Sequence, residues 1–457
     1  MYKIDFQKPI HVHFIGIGGI SMSGLAQILL DRHFTVSGSD RSETELTRQM
    51  TEAGAKIFYG QRASNIEEGT DLIVYTAAIH PDNPEFAEGV ARQIPMLTRA
   101  ELLGQLMENY QTSIAVAGTH GKTTTTSMLS HILLEADTDP TISVGGILPA
   151  IHGNIRVGGS NVFVTEACEY TNSFLSLSPK IGIILNIDAD HLDFFKDLDD
   201  IRHSFAKFAQ LLPEDGVLII HNGIPQLEKI TEGLSCKVVT YGEGGDYAAA
   251  NLSYDEYACA SFDLMHKDTC IGHFSLSVPG IHNVENAIAS LAAADLMNIP
   301  AEQMQAGIAS FHGTDRRFQF KGELGGVTII DDYAHHPTEI AATLKAAQNR
   351  PHQTLWCVFQ PHTYTRTKAL MDEFAEALTL ADKVVLADIY AARETDTLGV
   401  SSALLAEKIA ALGTEVHYFP SFDEIENFLL QNCSKGDLLI TMGAGDVYRI
   451  GEHLLGK

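Results

Sequence analysis

One segment of the chain, residues 116–124, has the residue types and spacing of a nucleotide-phosphate loop. Its small residues let backbone N–H groups close around phosphate oxygens, and the amine of Lys122 can reach the terminal phosphates. The hydroxyl of Thr123 can bind Mg²⁺, and the helix that begins here favours anions at its N-terminus. The strict P-loop pattern has Gly where this chain has Val116, so we expect a variant of that loop; a glycine-rich turn without a ligand is the alternative. The predicted phosphate-binding residues are Gly118, Thr119, His120, Gly121, Lys122, Thr123 and Thr124.

A second glycine-rich segment follows an apolar run near the start of the chain. Gly16, Gly18 and Gly19 can cradle a diphosphate. Asp40 stands where a Rossmann acid would bind a ribose hydroxyl. Ser21 occupies the third glycine position of the G-x-G-x-x-G pattern, and this departure weakens the case for NAD. The segment therefore predicts a diphosphate-binding turn, and the pattern alone leaves its ligand open.

Carboxylates and a histidine follow two apolar runs in the middle of the chain, where open α/β sheets place their ligands. Glu166 comes directly after the run 162–165, and Asp190, His191 and Asp193 form a D-H-x-D motif after the next run. Mg²⁺ prefers oxygen ligands, so the carboxylates fit easily and His191 is the unusual candidate. We interpret His191 as a ligand because of its setting beside a phosphate loop; a hydrogen-bonded structural histidine is the alternative.

Two asparagines, Asn283 and Asn286, stand three residues apart at the start of an Ala-rich, helix-like segment. Side chains at this spacing share one face of a helix, so both amides can contact one ligand. Helix N-capping by Asn283 explains its position equally well. The pair is therefore predicted either to bind a ligand or to begin the helix.

The last third of the chain carries cationic, acidic and aromatic residues after predicted strands. Arginine forks bind phosphate or carboxylate in a bidentate manner, which suits a nucleotide or an amino acid. A solvated turn is the alternative for Arg316 and Arg317, but in a chain this poor in cations chance clustering is the weaker explanation. The candidate residues here are Arg316, Arg317, Asp331, Asp332, Tyr333, His335, His336, His362 and Arg366.

The composition is that of a soluble globular chain with several domains. The sequence has 457 residues, 45% hydrophobic and 19% charged, and this length corresponds to about three domains. The net charge of -27 argues against nucleic acid as a partner, since a phosphate backbone needs a basic surface. Six scattered cysteines signal neither a zinc ribbon nor a disulfide framework. No apolar run has transmembrane length and no secretory leader is recognisable, so we expect a cytoplasmic protein without a membrane partner.

The alternation of apolar runs and helix-like segments predicts an α/β protein built from three consecutive units. In the first unit, strands at 11–15 and 35–39 with a helix between them form a Rossmann-like βαβ unit. The central unit is a doubly wound domain that carries the phosphate loop, and we expect its α/β alternation to continue to residue 283. In the third unit, strands are predicted at 327–330, 354–359, 383–386 and 438–441. We place the three units at residues 1–107, 108–314 and 315–457.

The order of these motifs resembles the Mur ligase family of cytoplasmic peptidoglycan-precursor synthetases, and the resemblance covers essentially the whole chain. Most of the matching segments are common singly, but together they are specific. They are GIGGISMSGLA, AGTHGKTTTT, TEACEY, DADHLD, GIHNVENA, DRRF, DDYAHHPTE, QPHTYTR and YAARE. The resemblance implies an N-terminal UDP-binding Rossmann-like domain, a central P-loop-type ATPase domain, and a C-terminal Rossmann-like domain that closes and brings in the amino acid.

The resemblance also implies a reaction and residues for it. The carboxylate of a UDP-linked sugar would attack the γ-phosphate of ATP to give an acyl phosphate, which an amino-acid amine would then attack. Lys122 would hold phosphates, and Thr123, Glu166 and His191 would hold Mg²⁺. The other implied roles are adenine binding by Asn283 and Asn286, phosphate binding by Arg317 and His335, ribose binding by Asp332, amino-acid binding by Tyr333, His362 and Arg366, and UDP-sugar binding by Gly16, Gly18, Gly19, Ser21 and Asp40.

The chain departs from the family pattern in its acidic motif. Relatives usually read E-A-D-E, whereas this chain has Cys168 in place of the Asp. Glu166 and Glu169 are retained, so metal binding is not lost. We expect Cys168 to be a buried residue without a chemical role.

Four hypotheses about function follow. The leading one is a ligase that joins L-alanine to UDP-N-acetylmuramate, because QPHTYTR and YAARE resemble that branch of the family. A recycling ligase that adds a ready-made murein tripeptide to the same nucleotide sugar is the alternative, and it needs a roomier pocket near His362. An NAD-dependent dehydrogenase and a non-catalytic nucleotide-binding regulator are alternatives of other classes. We expect a monomer or a homodimer.

Overall fold

The structure is a computed structural model that describes residues 3–457 apart from residues 77, 193, 256, 393, 396 and 397. Its strands form three sheets connected by helices, so the predicted α/β class is confirmed. Two compact units are distinguished by their internal contacts. The first comprises residues 1–118, 133–186 and 202–240, and the second comprises residues 119–132, 187–201 and 241–457. No helix in the described part of the chain has both the length and the apolar character needed to cross a membrane.

The first unit begins with a sheet of five parallel strands. These are β1 (His11–Ile15), β2 (Thr35–Asp40), β3 (Lys56–Tyr59), β4 (Leu72–Tyr75) and β5 (Met96–Thr98). The helices between them are α1 (Ile20–Asp31), α2 (Glu45–Glu52), α3 (Pro84–Ala91) and α4 (Arg99–Met107). The strand order is β3-β2-β1-β4-β5, and the central strand β1 is almost completely buried. The predicted strands at 11–15 and 35–39 are confirmed to within one residue.

The first unit continues into a second sheet, whose central strand leads to the phosphate loop. The strands are β6 (Thr112–Ala117), β7 (Thr141–Leu148), β8 (Gly153–Arg156), β9 (Val162–Ala167), β10 (Ile181–Ile184), β11 (Val217–His221) and β12 (Lys237–Tyr241), in the order β12-β11-β10-β6-β9-β7-β8. The helices in this stretch of chain are α5 (Lys122–Glu135), α6 (Leu198–Ala209) and α7 (Glu228–Thr231). Strand β6 lies among parallel neighbours, β9 and β10, so the loop after it begins where such sheets bind ligands.

The second unit contains three antiparallel strands that the sequence analysis did not predict. They are β13 (Tyr247–Tyr254), β14 (Cys259–His266) and β15 (Thr269–Pro279). A turn of two residues joins β14 to β15, and Lys267 in that turn has a φ of +54°. Such a short connection permits only antiparallel pairing, so the expectation of continued α/β alternation is wrong here. Helices α8 (Ile281–Leu296) and α9 (Ala301–Ala309) follow.

The second unit ends with a sheet of six strands. These are β16 (Gln319–Leu324), β17 (Val327–Asp332), β18 (Leu355–Phe359), β19 (Lys383–Leu386), β20 (Glu415–Tyr418) and β21 (Leu438–Met442), in the order β16-β17-β21-β18-β19-β20. The helices are α10 (Pro337–Gln348), α11 (Tyr364–Ala369), α12 (Met371–Leu378), α13 (Ser402–Ala411), α14 (Phe422–Asn432) and α15 (Tyr448–Leu454). All four predicted strands are confirmed to within two residues. Asp332 and Phe359 both pair with Met442, so β17, β18 and β21 end level with one another, and candidate site residues follow β17 and β18.

Candidate active site

The predicted phosphate loop connects β6 to α5 and has the backbone of an anion-binding turn. Gly118 and Gly121 have φ values of +148° and +84°, a region that favours glycine. A Cβ at Gly118 would lie 2.9 Å from the Cβ of Leu185, so a larger residue does not fit there. The Lys122 amine donates to the Thr119 carbonyl at 3.0 Å, and α5 begins at Lys122. The start of this helix and the lysine supply the donors that a phosphate group needs.

The loop histidine, His120, is held between two carboxylates. Its Nε2 lies 3.3 Å from Asp188 Oδ2, and its Nδ1 lies 3.3 Å from Glu339 Oε1. Burial lowers the pKa of His120, but the two carboxylates outweigh that effect and raise the pKa to about 9. His120 is therefore an imidazolium at neutral pH and adds a positive charge to the phosphate loop.

Glu339 contacts three of the predicted ATP-site residues. Besides His120, it lies 3.7 Å from the guanidinium of Arg317 and 3.4 Å from Nδ1 of His335. Its Oε2 also accepts the backbone N–H groups of His335 and His336 at 3.1 and 3.3 Å, as part of the capping box that begins α10. Burial raises the pKa of Glu339, but these neighbours outweigh it and hold the pKa well below the ordinary value. The carboxylate is therefore ionised.

Asp188 connects the phosphate loop to α10. Its backbone N–H donates to the Thr119 hydroxyl oxygen at 2.9 Å, and its carboxylate accepts the Thr338 hydroxyl at 2.8 Å. The close approach of the His120 ring is the main reason that the pKa of Asp188 falls to about 2. The loop and the first turn of α10 are therefore linked through one ionised carboxylate.

Among the described residues, the structure brings together one set of side chains with the spacing of metal ligands. His120, Asp188 and His336 have ligand atoms within 4.8 Å of one another, but two imidazoles and one carboxylate suit a transition metal better than Mg²⁺. The set that the resemblance implies is different and consists of Thr123, Glu166 and His191. Two of these three offer the oxygen ligands that Mg²⁺ prefers, so the donor chemistry fits Mg²⁺.

Asn283 and Asn286 lie buried on one face of α8, as their spacing predicted. Asn286 accepts the Thr125 hydroxyl at 3.2 Å and donates to Asn283 Oδ1 at 3.2 Å, while the Asn283 amide donates to the Pro279 carbonyl at 2.7 Å. Gly280 is the N-cap of the helix, so the capping interpretation of Asn283 is wrong. The pair is tied to the helix that follows the phosphate loop, and adenine binding stays a prediction.

Asp332 and Tyr333 lie at the end of β17. The carboxylate of Asp332 is buried and accepts the backbone N–H groups of Phe318 at 2.8 Å and Ala334 at 2.7 Å. Burial raises its pKa to about 6. The Arg317 guanidinium lies over the Tyr333 ring, 5.3 Å from its centroid. Asp332 therefore shapes the loop after β17, and its contact with a ribose stays a prediction.

The adjacent arginines have different partners. Arg316 pairs with Asp331 at 3.1 Å and donates to the carbonyls of Gly443 and Gly445 at 2.6 and 3.1 Å. These contacts give Arg316 a structural role, because they join the segment before β16 to the loop that follows β21. The solvated-turn alternative is therefore wrong for Arg316, whereas Arg317 faces the Glu339 carboxylate.

Arg366 and His362 lie together beside Asp190. Arg366 donates to Asp190 Oδ1 from Nε at 3.1 Å and from a terminal nitrogen at 2.9 Å, and its other terminal nitrogen lies 3.2 Å from His362 Nδ1. Asp190, His191, Thr365 and Arg366 line a cavity of about 140 Å³. This volume is well below the range of about 300–1,000 Å³ for drug-sized ligands. The cavity suits a small ligand, and recognition of an amino-acid carboxylate by Arg366 stays a prediction.

Glu166 ends β9 in the first unit and lines a second cavity of about 250 Å³. Its Oε1 accepts the Gly145 N–H at 2.5 Å, and a Cβ at Gly145 would lie 2.9 Å from Oε2. Cys168 lines the same cavity and is exposed, so the expectation of a buried residue is wrong. The reason is that β9 ends at Ala167, and Cys168 lies in the turn beyond the sheet interior.

The glycine turn after β1 is braced by Asp40. Gly18 donates its N–H to Asp40 Oδ2 at 2.8 Å, and a Cβ at Gly18 would lie 2.7 Å from that oxygen. Gly16 has a φ of +86°, and Gly19 is the N-cap of α1. Ser21 is exposed in the first turn of α1 and lines the cavity that contains Glu166. The turn has the form of a diphosphate cradle, and direct sugar binding by Asp40 stays a prediction.

Sequence reasoning missed several partners of these residues. It assigned no role to Asp188 or Glu339, and it placed Asp190 near a metal rather than in an ion pair with Arg366. The H-x-x-E spacing of a capping box was a local signal for Glu339, but no local signal predicted its contact with His120. Asp193 of the D-H-x-D motif and Arg393 of YAARE lie outside the described residues.

Three family models match consecutive parts of the chain. The Mur ligase family catalytic domain matches residues 11–111, the Mur ligase middle domain matches residues 116–294, and the Mur ligase glutamate ligase domain matches residues 316–445. Together the three models span most of the sequence.

Full-length relatives agree with these matches. The chain is 60% identical to the UDP-N-acetylmuramate--L-alanine ligase of Agathobacter rectalis and 58% identical to that of Lachnospira eligens, with 100% of each chain covered. Among solved structures, the UDP-N-acetylmuramate-alanine ligase of Thermotoga maritima is 28% identical with a TM-score of 0.79, and 98% of each chain is covered. A murein peptide ligase of Psychrobacter arcticus is 25% identical with a TM-score of 0.69, again over 98% of each chain. The chain belongs to the Mur ligase family.

Proposed function

We propose that the chain is an ATP-dependent ligase that joins L-alanine to the lactyl carboxylate of UDP-N-acetylmuramate. The observation that carries this proposal is the identity of 60% and 58%, over the whole chain, to two UDP-N-acetylmuramate--L-alanine ligases. The murein tripeptide ligase is the disfavoured alternative, because the similarity to a murein peptide ligase is only 25%. Membership of a ligase family also argues against the dehydrogenase and the non-catalytic regulator.

The reaction proceeds in two steps, a phosphoryl transfer and an acyl transfer. The lactyl carboxylate attacks the γ-phosphorus of ATP, the bond to the β-phosphate oxygen breaks, and an acyl phosphate and ADP result. The alanine amine then attacks the acyl carbon, inorganic phosphate leaves, and the amine loses a proton as the amide forms. Both steps bring anions together, so the site must supply positive charge.

The second unit supplies that charge from several side chains. Lys122 and the helix start at α5 bind the β- and γ-phosphates, and the imidazolium of His120 adds charge to the same loop. Arg317 and His335 act on the phosphates, and Asn283 with Asn286 contacts the adenine. His362, Arg366 and Tyr333 receive the amino acid, for which the 140 Å³ cavity has a suitable size.

Mg²⁺ is the metal that this chemistry requires. Thr123, Glu166 and His191 are the residues that would hold it, and two of them are oxygen donors of the type that Mg²⁺ selects. The ion neutralises phosphate charge and orients the transferring group when it is bound. Glu166 is fixed for this purpose by the Gly145 N–H.

We also assign domain boundaries, a cellular location and an oligomeric state to the protein. Three domains at residues 1–107, 108–314 and 315–457 carry the nucleotide sugar, ATP and the amino acid, respectively. A reaction between ATP and a nucleotide-linked sugar belongs in the cytoplasm, where both are synthesised. The protein acts as a monomer or a homodimer.

The test measures the release of phosphate from ATP in the presence of Mg²⁺ and UDP-N-acetylmuramate. Either L-alanine or the murein tripeptide is supplied as the acceptor, and the product is identified by its mass. We expect turnover with L-alanine alone. Turnover with the tripeptide alone would transfer the chain to the recycling branch. Absence of turnover with both acceptors would refute the ligase proposal.

A further inference from the structure

Arg99 is a half-buried cation without an ion pair. It is the first residue of α4, whose start is held by reciprocal hydrogen bonds between Thr98 and Glu101. No described carboxylate lies within ion-pair distance of its guanidinium, and no described group hydrogen-bonds to it. This is unexpected in a chain in which 58 Asp+Glu outnumber 31 Lys+Arg. Burial lowers the pKa of Arg99, its electrostatic interaction with Cys168 acts in the opposite direction, and a guanidinium stays charged in proteins.

Arg99 lines the 250 Å³ cavity of the first unit. Among the described residues that line it, Arg99 is the only cation and Glu166 is the only carboxylate. They do not pair with each other, since Glu166 accepts a hydrogen bond from the Gly145 N–H instead. Two opposite charges that share one cavity without neutralising each other are both available to a ligand. A cation of this kind selects an anionic group.

We propose that Arg99 binds an anionic oxygen group of the nucleotide sugar, either its lactyl carboxylate or its diphosphate. This inference rests on the proposed function, because it assigns a further residue to the same substrate. The guanidinium fork matches the paired oxygens of both groups. Ser21 belongs to the diphosphate turn and Glu166 is the expected metal ligand, and both line the cavity. Arg99 therefore shares one cavity with a residue of the diphosphate turn and with the expected metal ligand.

The direct test measures binding in the absence of ATP. Arg99→Met keeps an apolar stem of similar length and removes the charge, and calorimetry gives the Kd for UDP-N-acetylmuramate, UDP-N-acetylglucosamine and UDP. We expect binding of UDP-N-acetylmuramate to weaken about 10- to 100-fold, the range for a lost charged hydrogen bond. A loss confined to UDP-N-acetylmuramate identifies the carboxylate, and a loss shared by all three ligands identifies the diphosphate. Unchanged affinity for all three overturns the inference.

Two further variants control for charge and folding. Arg48→Met in α2 removes an exposed arginine from the same unit and should leave all three affinities unchanged. Arg99→Lys keeps the charge without the fork, and we expect an affinity between those of the wild type and Arg99→Met. If Arg99→Met does not fold, Arg99→Lys alone decides, since wild-type affinity in this variant contradicts binding by a fork.

Cys168 provides a second readout that does not depend on activity. It is exposed in the same cavity, and its alkylation by iodoacetamide can be followed by mass spectrometry, with exposed Cys270 on β15 as the internal reference. UDP-N-acetylmuramate should protect Cys168 and not Cys270, and protection in Arg99→Met should need about 10- to 100-fold more ligand. If the wild type neither binds nor turns over the nucleotide sugar, the proposed function fails. If it does both and Arg99→Met behaves identically, only this inference fails.

Discussion

At the scale of single residues, the charge on the phosphate loop depends on carboxylates outside that loop. His120 carries a proton because Asp188 and Glu339 lie on either side of its ring, each at 3.3 Å. An unpaired charge at this depth would be costly, whereas a paired one is tolerated and still contributes to the field around the loop. Glu339 also faces Arg317. We therefore expect Glu339 to act as a positioning residue for the cations that meet ATP.

Replacing Glu339 with Gln tests this role. The amide keeps hydrogen-bonding capacity at the start of α10 but removes the charge that holds His120 and Arg317. We expect kcat/KM for ATP to fall about 10- to 100-fold, mainly through KM, while KM for the nucleotide sugar changes less than about twofold. Steady-state phosphate release with ATP as the varied substrate measures this. Glu373→Gln, at an exposed position in the first turn of α12, is the matched control.

An equal rise in both KM values would indicate general damage rather than lost positioning. A KM for ATP that stays at the wild-type value would contradict the role of Glu339. Thermal unfolding of both variants distinguishes a folding defect from a change in ATP binding.

The identities of the site residues were more predictable than their partners. Local spacing predicted the loop of Lys122 and Thr123 and the shared helix face of Asn283 and Asn286, because those features depend on neighbours a few residues apart. The contact between His120 and Glu339 joins residues far apart in the chain, and only the tertiary fold brings them together. For the same reason the sequence did not predict that the Asp332 carboxylate would accept hydrogen bonds from backbone N–H groups.

At the scale of elements, helix α4 is placed by an unusually close backbone contact. A Cβ at Gly104 would lie 1.8 Å from the Ser176 carbonyl oxygen and 3.2 Å from the Cα of Leu177. Backbone atoms cannot rotate away as the end of a side chain can, so the helix would have to move. Arg99 begins this helix, and Ser176 ends the turn that follows the acidic motif. The glycine therefore helps to place Arg99 in its cavity.

Gly104→Ala should destabilise the protein although alanine favours a helix. Alanine gains up to about 1 kcal/mol in propensity, whereas overpacking against a fixed backbone costs about 1–3 kcal/mol or more. We expect a net loss in the free energy of unfolding, measured by urea titration followed by far-UV circular dichroism. Gly451→Ala in α15 is the control, since its Cβ would come no closer than 3.1 Å to a side-chain methyl group of Ile329. A Gly104→Ala protein as stable as the wild type would show that α4 shifts freely.

Elements of regular α/β alternation were predictable, and the exception has a physical reason. Strand β19 agrees with its prediction at both ends, because a buried parallel strand is a continuous apolar run between polar segments. Strand β14 and the second half of β15 alternate between buried and more exposed residues, β13 is buried only at its first residue, and a two-residue turn separates β14 from β15. A half-buried antiparallel sheet contains fewer continuous apolar runs, so its sequence signal is weaker than that of the buried parallel strands around it.

At the scale of the whole molecule, partly buried histidines are expected to lower stability on the acid side of neutral pH. Burial lowers the pKa of His131 and His282 to about 4, so both are neutral in the folded chain at pH 7. The unfolded chain binds protons at these positions below about pH 6.5. Stability is therefore lost as the pH falls from about 6.5 towards 4.

His120 produces the opposite limb of this profile. Its pKa is raised from 6.5 in the unfolded chain to about 9 in the folded one, so its contribution is complete below pH 6.5 and disappears as the pH rises through 9. A shift of this size corresponds to about 3 kcal/mol.

The pH dependence of His120 is measured against a variant, because other groups, including buried thiols, also lower the stability of the protein above pH 8. The difference between the wild type and His120→Asn removes the shared terms, and we expect it to shrink by about 3 kcal/mol between pH 6 and pH 9.5. Trp356, the single tryptophan, is fully buried in β18, so its fluorescence during urea unfolding reports on the unit that contains His120. A difference that stays constant with pH would mean that folding leaves the pKa of His120 at its ordinary value of about 6.5. His120 would then be mostly neutral above pH 7, and the side-chain positive charge assigned to the phosphate loop would rest on Lys122 alone.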